Sequence, residues 1–165
     1  MEYIIRPAVE SDWPKIKQIY EAGMDSGLAT FETKAPSYES WSDSETSNCR
    51  LVIESATQIR GFCKLSLVSK RPVYSGVGEV SIYVDPVYSG EGIGHKLMQA
   101  LIQASEQQGF WTLEAKIFPE NEASIRLHKK NGFREVGVRE RIGKRDGIWR
   151  DNVLLERRST INGIH

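Results

Sequence analysis

The stretch PVYSGEGIGHKL (86–97) constrains this chain more than any other. Gly90, Gly92 and Gly94 alternate there, directly after the β-branched and aromatic run EVSIYVD (79–85) and directly before a helical pattern. A strand, a tight glycine turn and a helix N-terminus together leave backbone N–H groups pointing outward, at the end of the helix dipole that favours negative charge. Glycine allows the unusual dihedrals of such a turn and lets an anion approach the backbone. The alternation suits an anion site of this kind; the alternative is an ordinary strand-to-helix turn, for which one glycine normally suffices. Two common nucleotide loops do not fit. Gly94-His95-Lys96 lacks the Gly-Lys-Ser/Thr ending of a P-loop, and the spacing Gly-x-Gly-x-Gly differs from the dinucleotide fingerprint Gly-x-Gly-x-x-Gly.

The elements around this turn follow from periodicity. Tyr3–Arg6 reads as a first strand. SDWPKIKQIYEAG (11–23) has a polar start, Pro14 in the first turn and Trp13, Ile16, Ile19 and Tyr20 on one face, which predicts a helix. Residues 24–37 are loop-like and contain ATFE (29–32), and Ser37–Thr46 is a candidate short helix. RLVIES and GFCKLSLV flank Thr57–Arg60 as a hairpin, and EVSIYVD is a strand rich in strand formers. Ile93, Leu97, Leu101 and Ala104 keep a helical period that Gly109 ends. WTLEAKIF is a strand, NEASIRLHKKNG a helix, and FREVGVRERIG with IWRDNVLLER a last strand pair around Arg145-Asp146-Gly147. The order β-α-α-β-β-β-α-β-α-β-β describes a mixed α/β layer protein built on one central sheet.

Charge and length bound the function. The 165 residues suit one domain spanning 1–165. Lys+Arg 22 balances Asp+Glu 22, so no basic excess draws the chain to nucleic acid or a membrane. No apolar run reaches transmembrane length, and MEYIIRPA lacks a signal-peptide pattern. Cys49 and Cys63 fit a reducing cytosol, and neither they nor His95, His128 and His165 have metal-ligand spacing, so no metal is expected.

The glycine window Ser89-Gly90-Glu91-Gly92-Ile93-Gly94 resembles the Gln/Arg-x-x-Gly-x-Gly/Ala loop with which GNAT acetyltransferases bind the pyrophosphate of acetyl-coenzyme A. Ser89 departs from the Gln or Arg of that pattern, which removes a side-chain contact and leaves the backbone amides up to His95. Glu91 is expected to face solvent. ATFE (29–32), Glu-x-Ser-Ile-Tyr-Val (79–84), NEASIRLHKKNGF (121–133) and GIWRD (147–151) lie in the order of the phosphinothricin-acetyltransferase branch and cover nearly the whole chain. The resemblance implies a GNAT-like sheet, splayed by a bulge between its fourth and fifth strands.

It also implies roles. The backbone of Ile82, Tyr83 and Val84 would pair with the pantetheine arm like an added strand. Asn121 and Ser124 match the second coenzyme-contacting helix; Asn121 alternatively caps that helix. Glu79 matches the family glutamate implicated as base, and the chemistry needs one, because an ammonium has no lone pair with which to attack a thioester. A solvated strand-end glutamate is the alternative. His128 stands where many relatives place a tyrosine acid, and it either moves a proton or packs against the sheet. Phe31 and Glu32 fall where the family builds its acceptor wall, with a loop anchor buried in the core as the alternative for Phe31. Arg71 is expected to grip an acceptor carboxylate, with Tyr74 lining or covering the slot; Trp149 is expected to pack. The implied activity is direct acetyl transfer from acetyl-coenzyme A, as cosubstrate, to the primary amine of a small amino-acid-like acceptor such as phosphinothricin or methionine sulfoximine, by a cytoplasmic homodimer. The alternatives are acetylation of a protein N-terminus or lysine, and a coenzyme A sensor without turnover.

Overall fold

A computed structural model describes residues 1–42 and 44–165. The elements are β1 (Ile4–Pro7), α1 (Trp13–Asp25), α2 (Tyr38–Trp41), β2 (Arg50–Ser55), β3 (Gln58–Leu67), β4 (Val77–Val84), α3 (Ile93–Gln107), β5 (Thr112–Ile117), α4 (Glu122–Lys130), β6 (Arg134–Arg145) and β7 (Ile148–Arg158). Single 3-10 turns precede α1, β2, β4 and α3. The helix expected over Ser37–Thr46 is in two parts, α2 and a 3-10 segment at Ser44–Cys49; Asp43, within that expectation, lies outside the described residues. The first hairpin is tighter than its composition suggested. Ala56 and Thr57 turn it at φ +50° and +62°, and Gln58–Arg60 already belong to β3.

The strands form one seven-stranded sheet in the order β1-β2-β3-β4-β5-β7-β6. Every neighbouring pair is antiparallel except β4 and β5. That parallel ladder holds only Val77↔Thr112, Gly78↔Leu113 and Glu79↔Glu114. Beyond Glu79, β4 continues on β3 up to Val84, and β5 continues on β7 up to Ile117. The sheet therefore opens between its fourth and fifth strands, as expected. Against β3, β4 keeps one register from Leu67↔Gly78 to Gly61↔Val84, so the opening comes from divergence of β4 and β5 and not from a bulge in that ladder.

Each face of the sheet has its own core. On one side Ile93, Leu97, Met98 and Leu101 of α3 pack on Leu65, Val80, Ala115, Ile117, Val153 and Leu155. Their period places four fully buried side chains on one helical stripe, each contributing about 1.5–3 kcal/mol of burial. On the other side Ile16 and Ile19 of α1 pack with Trp41, Val52 and Phe62. Because side chains alternate along a strand, Val80 and Ile82 turn toward α3 while Glu79, Ser81 and Tyr83 turn toward α1. The same alternation puts Ala115 and Ile117 under α3 and leaves Lys116 on the α1 face.

Candidate active site

The glycine turn is open. Gly90 (φ +82°) and Gly92 (φ +77°) adopt the left-handed conformation, and a Cβ at either would meet nothing within 4 Å among the described residues. Backbone geometry demands glycine here, and free space remains for a ligand. Gly92 is the N-cap of α3 and has no side chain to turn onto the first helical amides. The first intrahelical bond is from Lys96 N to Gly92 O, so the N–H groups of Ile93, Gly94 and His95 have no partner within the helix. Ser89 and Glu91 are exposed, which keeps the Glu91 carboxylate in solvent. Gly94 serves packing: a Cβ there would stand 3.1 Å from Leu127, so it lets α3 and α4 approach. His95 Nδ1 accepts a hydrogen bond from the Asn131 amide (3.1 Å), joining the start of α3 to the end of α4.

A cleft of about 260 Å3 occupies the gap between β4 and β5. It brings together Glu79, Ile82, Tyr83, Asn121, Ser124 and His128 with Phe31 and Glu32. Val84 lies one residue beyond and packs against the α3 core. From Val80 onward β4 has no strand on its β5 side, so its backbone groups on that edge can meet an amide-bearing arm. Asn121 caps α4, its Oδ1 accepting from Ser124 N at 3.3 Å, while its Nδ2 donates to Leu28 O at 3.2 Å.

Glu79 stands where the two strands part, and Lys116 Nζ lies 3.4 Å from its Oε1. About a third of each side chain is exposed, so this is a loose ion pair inside a wet cleft. His128 lines the same cleft and is buried, edge-on to Phe133 at 5.0 Å. Its Nδ1 is 2.7 Å from Ser124 O, and a carbonyl only accepts, so Nδ1 bears the hydrogen and Nε2 holds the lone pair. Burial pushes the imidazole below its ordinary range, and the Ser124 carbonyl opposes this only in part. Neutral His128 is thus suited to accepting a proton. The sign for stability follows: the unfolded chain protonates this histidine as pH falls through about 6.5, while the folded state resists. Its contribution is complete above that value and is lost below it. The thermal midpoint of the wild type is expected to fall more between about pH 7.5 and pH 5.5 than that of His128→Asn; equal falls would show that burial does not hold the ring neutral.

One side of the cleft is an aromatic wall. Phe31 meets Phe118 edge-to-face at 4.7 Å and lies over Gly143 of β6, where an added Cβ would come within 3.0 Å of its ring. Tyr83 meets both Tyr20 (4.9 Å) and Phe62 (5.1 Å), which also touch each other (6.1 Å), and burial raises its phenol well above the usual range. The loop carrying Phe31 is tied down from three directions. Asn121 donates to Leu28 O, Arg150 to Gly27 O, and Arg145 to both Thr30 O and Met24 O.

Arg71 and Tyr74 are not among the described residues that line the cleft. They stand on the turn before β4, the guanidinium 5.5 Å from the centre of the half-exposed Tyr74 ring. Trp149 does not pack either; it is 56% exposed beneath Lys144. Sequence reading missed Lys116 and Asn152, both of which line the cleft. Strand alternation could have placed Lys116 opposite the apolar residues Ala115 and Ile117; nothing in the local pattern marks Asn152.

Comparison with known proteins agrees with this geometry. The model of the acetyltransferase (GNAT) family matches residues 13–133. A phosphinothricin N-acetyltransferase of Streptomyces coelicolor is 31% identical over 94% of this chain and 96% of its own. An L-methionine sulfoximine/L-methionine sulfone acetyltransferase of Pseudomonas paraeruginosa is 28% identical over 94% of each chain. The crystal structure of a phosphinothricin acetyltransferase from Sinorhizobium meliloti, solved in complex with acetyl-coenzyme A, superposes with a TM-score of 0.89 at 28% identity, covering 100% of this chain and 92% of that one. With the splayed sheet and the open glycine turn, these matches establish that the chain belongs to the acetyltransferase (GNAT) family.

Proposed function

We propose that the chain, acting as one domain, moves an acetyl group from acetyl-coenzyme A directly to the primary amine of a small amino-acid-like acceptor, of the phosphinothricin or methionine sulfoximine type. The observation that carries this is the position of Glu79, at the parting of β4 and β5, between a helix N-terminus open to a diphosphate and a walled chamber on the opposite face. The free amides from Ile93 to His95 receive the diphosphate, and the open edge of β4 receives the pantetheine amides. Glu79 takes the proton of the incoming ammonium, directly or through water, which frees its lone pair. The lone pair adds to the thioester carbon to give a tetrahedral intermediate; as it collapses the C–S bond breaks, the sulfur leaves with the electron pair, and the nitrogen sheds a second proton. Backbone N–H groups on the β4 edge favour the charge that grows on the thioester oxygen. His128 accepts that second proton at Nε2 and passes it to the departing thiolate. Cys63 and Cys49 lie in the core under α3, and burial pushes the Cys49 thiol up to about 11, which supports transfer without an acetyl-cysteine.

The acceptor class rests on size and charge. The pinned loop and the aromatic pair leave a small chamber, which favours a free small molecule over a folded protein's terminus. Lys116 supplies the cation there that Arg71 does not, and it can meet an acceptor carboxylate. Lys116→Met is expected to raise the KM of such an acceptor about 10-fold with little change in the KM of acetyl-coenzyme A. An unchanged acceptor KM would remove Lys116 from recognition. The exposed apolar residues Val138, Ile142, Ile148 and Trp149 of the β6–β7 hairpin support a homodimer. Among the described residues no helix is long and apolar enough to cross a membrane, and we place the enzyme in the cytoplasm. Thiol release from acetyl-coenzyme A, measured with phosphinothricin, methionine sulfoximine, proteinogenic amino acids and short peptides, tests the whole reading. Turnover confined to peptides would overturn the acceptor class, and coenzyme binding with no turnover on any amine would leave a sensor.

A further inference from the structure

We infer that the carboxamide oxygen of Asn152 receives an N–H of the acceptor amine and orients that amine within the cleft that Glu79 also lines. This rests on the acetyltransferase reading above. Asn152 is 5% exposed, lines the cleft, and its Oδ1 has no hydrogen-bond partner among the described residues. A buried carbonyl oxygen without a donor destabilises a fold; because the residue lines a ligand cleft, a turn of the carboxamide about its last torsion brings that oxygen to a donor that arrives with the ligand.

Two ligands bring N–H groups to this cleft: the amine and the pantetheine arm. Strand geometry separates them. Val153, the next residue of β7, is buried under α3 and pairs with Ile117. Alternation turns Asn152 to the opposite face, which carries Lys116, Glu79 and the Phe31–Phe118 wall. The open amides that suit the diphosphate belong to α3, on the other side of the sheet. Asn152 therefore faces the acceptor and not the carrier.

The chemistry gives that oxygen a task. A neutral primary amine has two N–H bonds and one lone pair. An N–H held by Oδ1 fixes rotation about the C–N bond, so that the lone pair is left for the thioester carbon once Glu79 has taken the third proton. An oxygen that only accepts also favours amines over tertiary nitrogen, which has no N–H to give.

Asn152→Leu tests this, because it keeps the shape and removes the oxygen. A panel of primary amines that includes methionine sulfoximine and phosphinothricin is assayed on the full chain, with coenzyme affinity by calorimetry and the thermal midpoint alongside. The expected result is a thermal midpoint equal to or above that of the wild type, an unchanged Kd for acetyl-coenzyme A, and a loss of about 10–100-fold in kcat/KM for the acceptor. Asn152→Asp, which retains an oxygen there, is expected to keep most of that activity, and Asn152→Ala makes the same comparison should leucine prevent folding. A lower midpoint with unchanged acceptor kinetics would make Asn152 structural. A weaker coenzyme Kd with an unchanged acceptor KM would assign the oxygen to the pantetheine arm, against this inference. No turnover of any amine by the wild type would overturn the acetyltransferase reading and this inference with it.

Discussion

Glu79→Gln is expected to lower kcat/KM for the acceptor about 10²–10⁴-fold at neutral pH while the Kd for acetyl-coenzyme A stays within about 2-fold. Glutamine fills the same space and keeps one carbonyl oxygen, so the steric environment at the parting of β4 and β5 is preserved. What is lost is the ability to take a proton from an ammonium, and every turnover needs that step. The fold should tolerate the change. The ion pair with Lys116 is loose at 3.4 Å and about a third exposed on both sides, and such pairs contribute about 0–1 kcal/mol. Raising the pH should restore part of the rate, because more of the acceptor then arrives already neutral. Steady-state kinetics from neutral to alkaline pH, with calorimetry for the coenzyme, decide the matter. A variant that turns over like the wild type at neutral pH would show that Glu79 is not the base and would shift attention to Nε2 of His128. Lys116→Met gives the complementary pattern, a raised acceptor KM with the base intact, so the two variants separate proton removal from recognition.

The parts of this molecule visible in the sequence are those encoded by neighbours along the chain. The alternating glycines dictate a left-handed turn before α3, and Gly90 and Gly92 take up that conformation. The spacing of Ile93, Leu97 and Leu101 dictates a stripe, and the stripe is buried. Asn121 reads as an N-cap from its place before an acidic first turn, and it is one. What escaped were consequences of register. The Lys116–Glu79 pair exists because β5 runs parallel to β4 for three residue pairs and then leaves it, a match across strands that no local pattern records. Asn152 looks like one more polar residue within a strand; its burial depends on β7 lying between β5 and β6. Arg71 is a different case. An arginine before β4 can grip a carboxylate, and here the turn at Pro72–Tyr74 sets it over the Tyr74 ring and outside the described residues that line the cleft. The Ala56–Thr57 turn was missed because neither residue favours positive φ; pairing of β2 with β3 imposes it.

Gly92→Val tests the phosphate half of the site and should have the other large effect. The variant meets two separate penalties. At φ +77° a β-branched side chain is strained, at a cost of about 1–3 kcal/mol to the start of α3. Its methyl groups also project into the open space in front of the Ile93, Gly94 and His95 amides, where the diphosphate has to approach closely to be held. The expected outcome is a folded protein with a lowered thermal midpoint and a Kd for acetyl-coenzyme A raised by more than about 100-fold, which corresponds to about 3 kcal/mol. Gly109 supplies the control. It lies just past the other end of α3, has φ +87°, and a Cβ there also meets nothing within 4 Å among the described residues. Gly109→Val imposes a similar backbone cost on the same helix far from the amides, so it should lower the midpoint and leave coenzyme affinity alone. If both variants weaken the coenzyme equally, helix strain explains the loss and the glycine turn has no direct part in holding the diphosphate. If only Gly92→Val does so, close approach of the ligand to the backbone is the reason for the glycine, and the three alternating glycines divide into two that admit the ligand and one, Gly94, that admits Leu127 of α4.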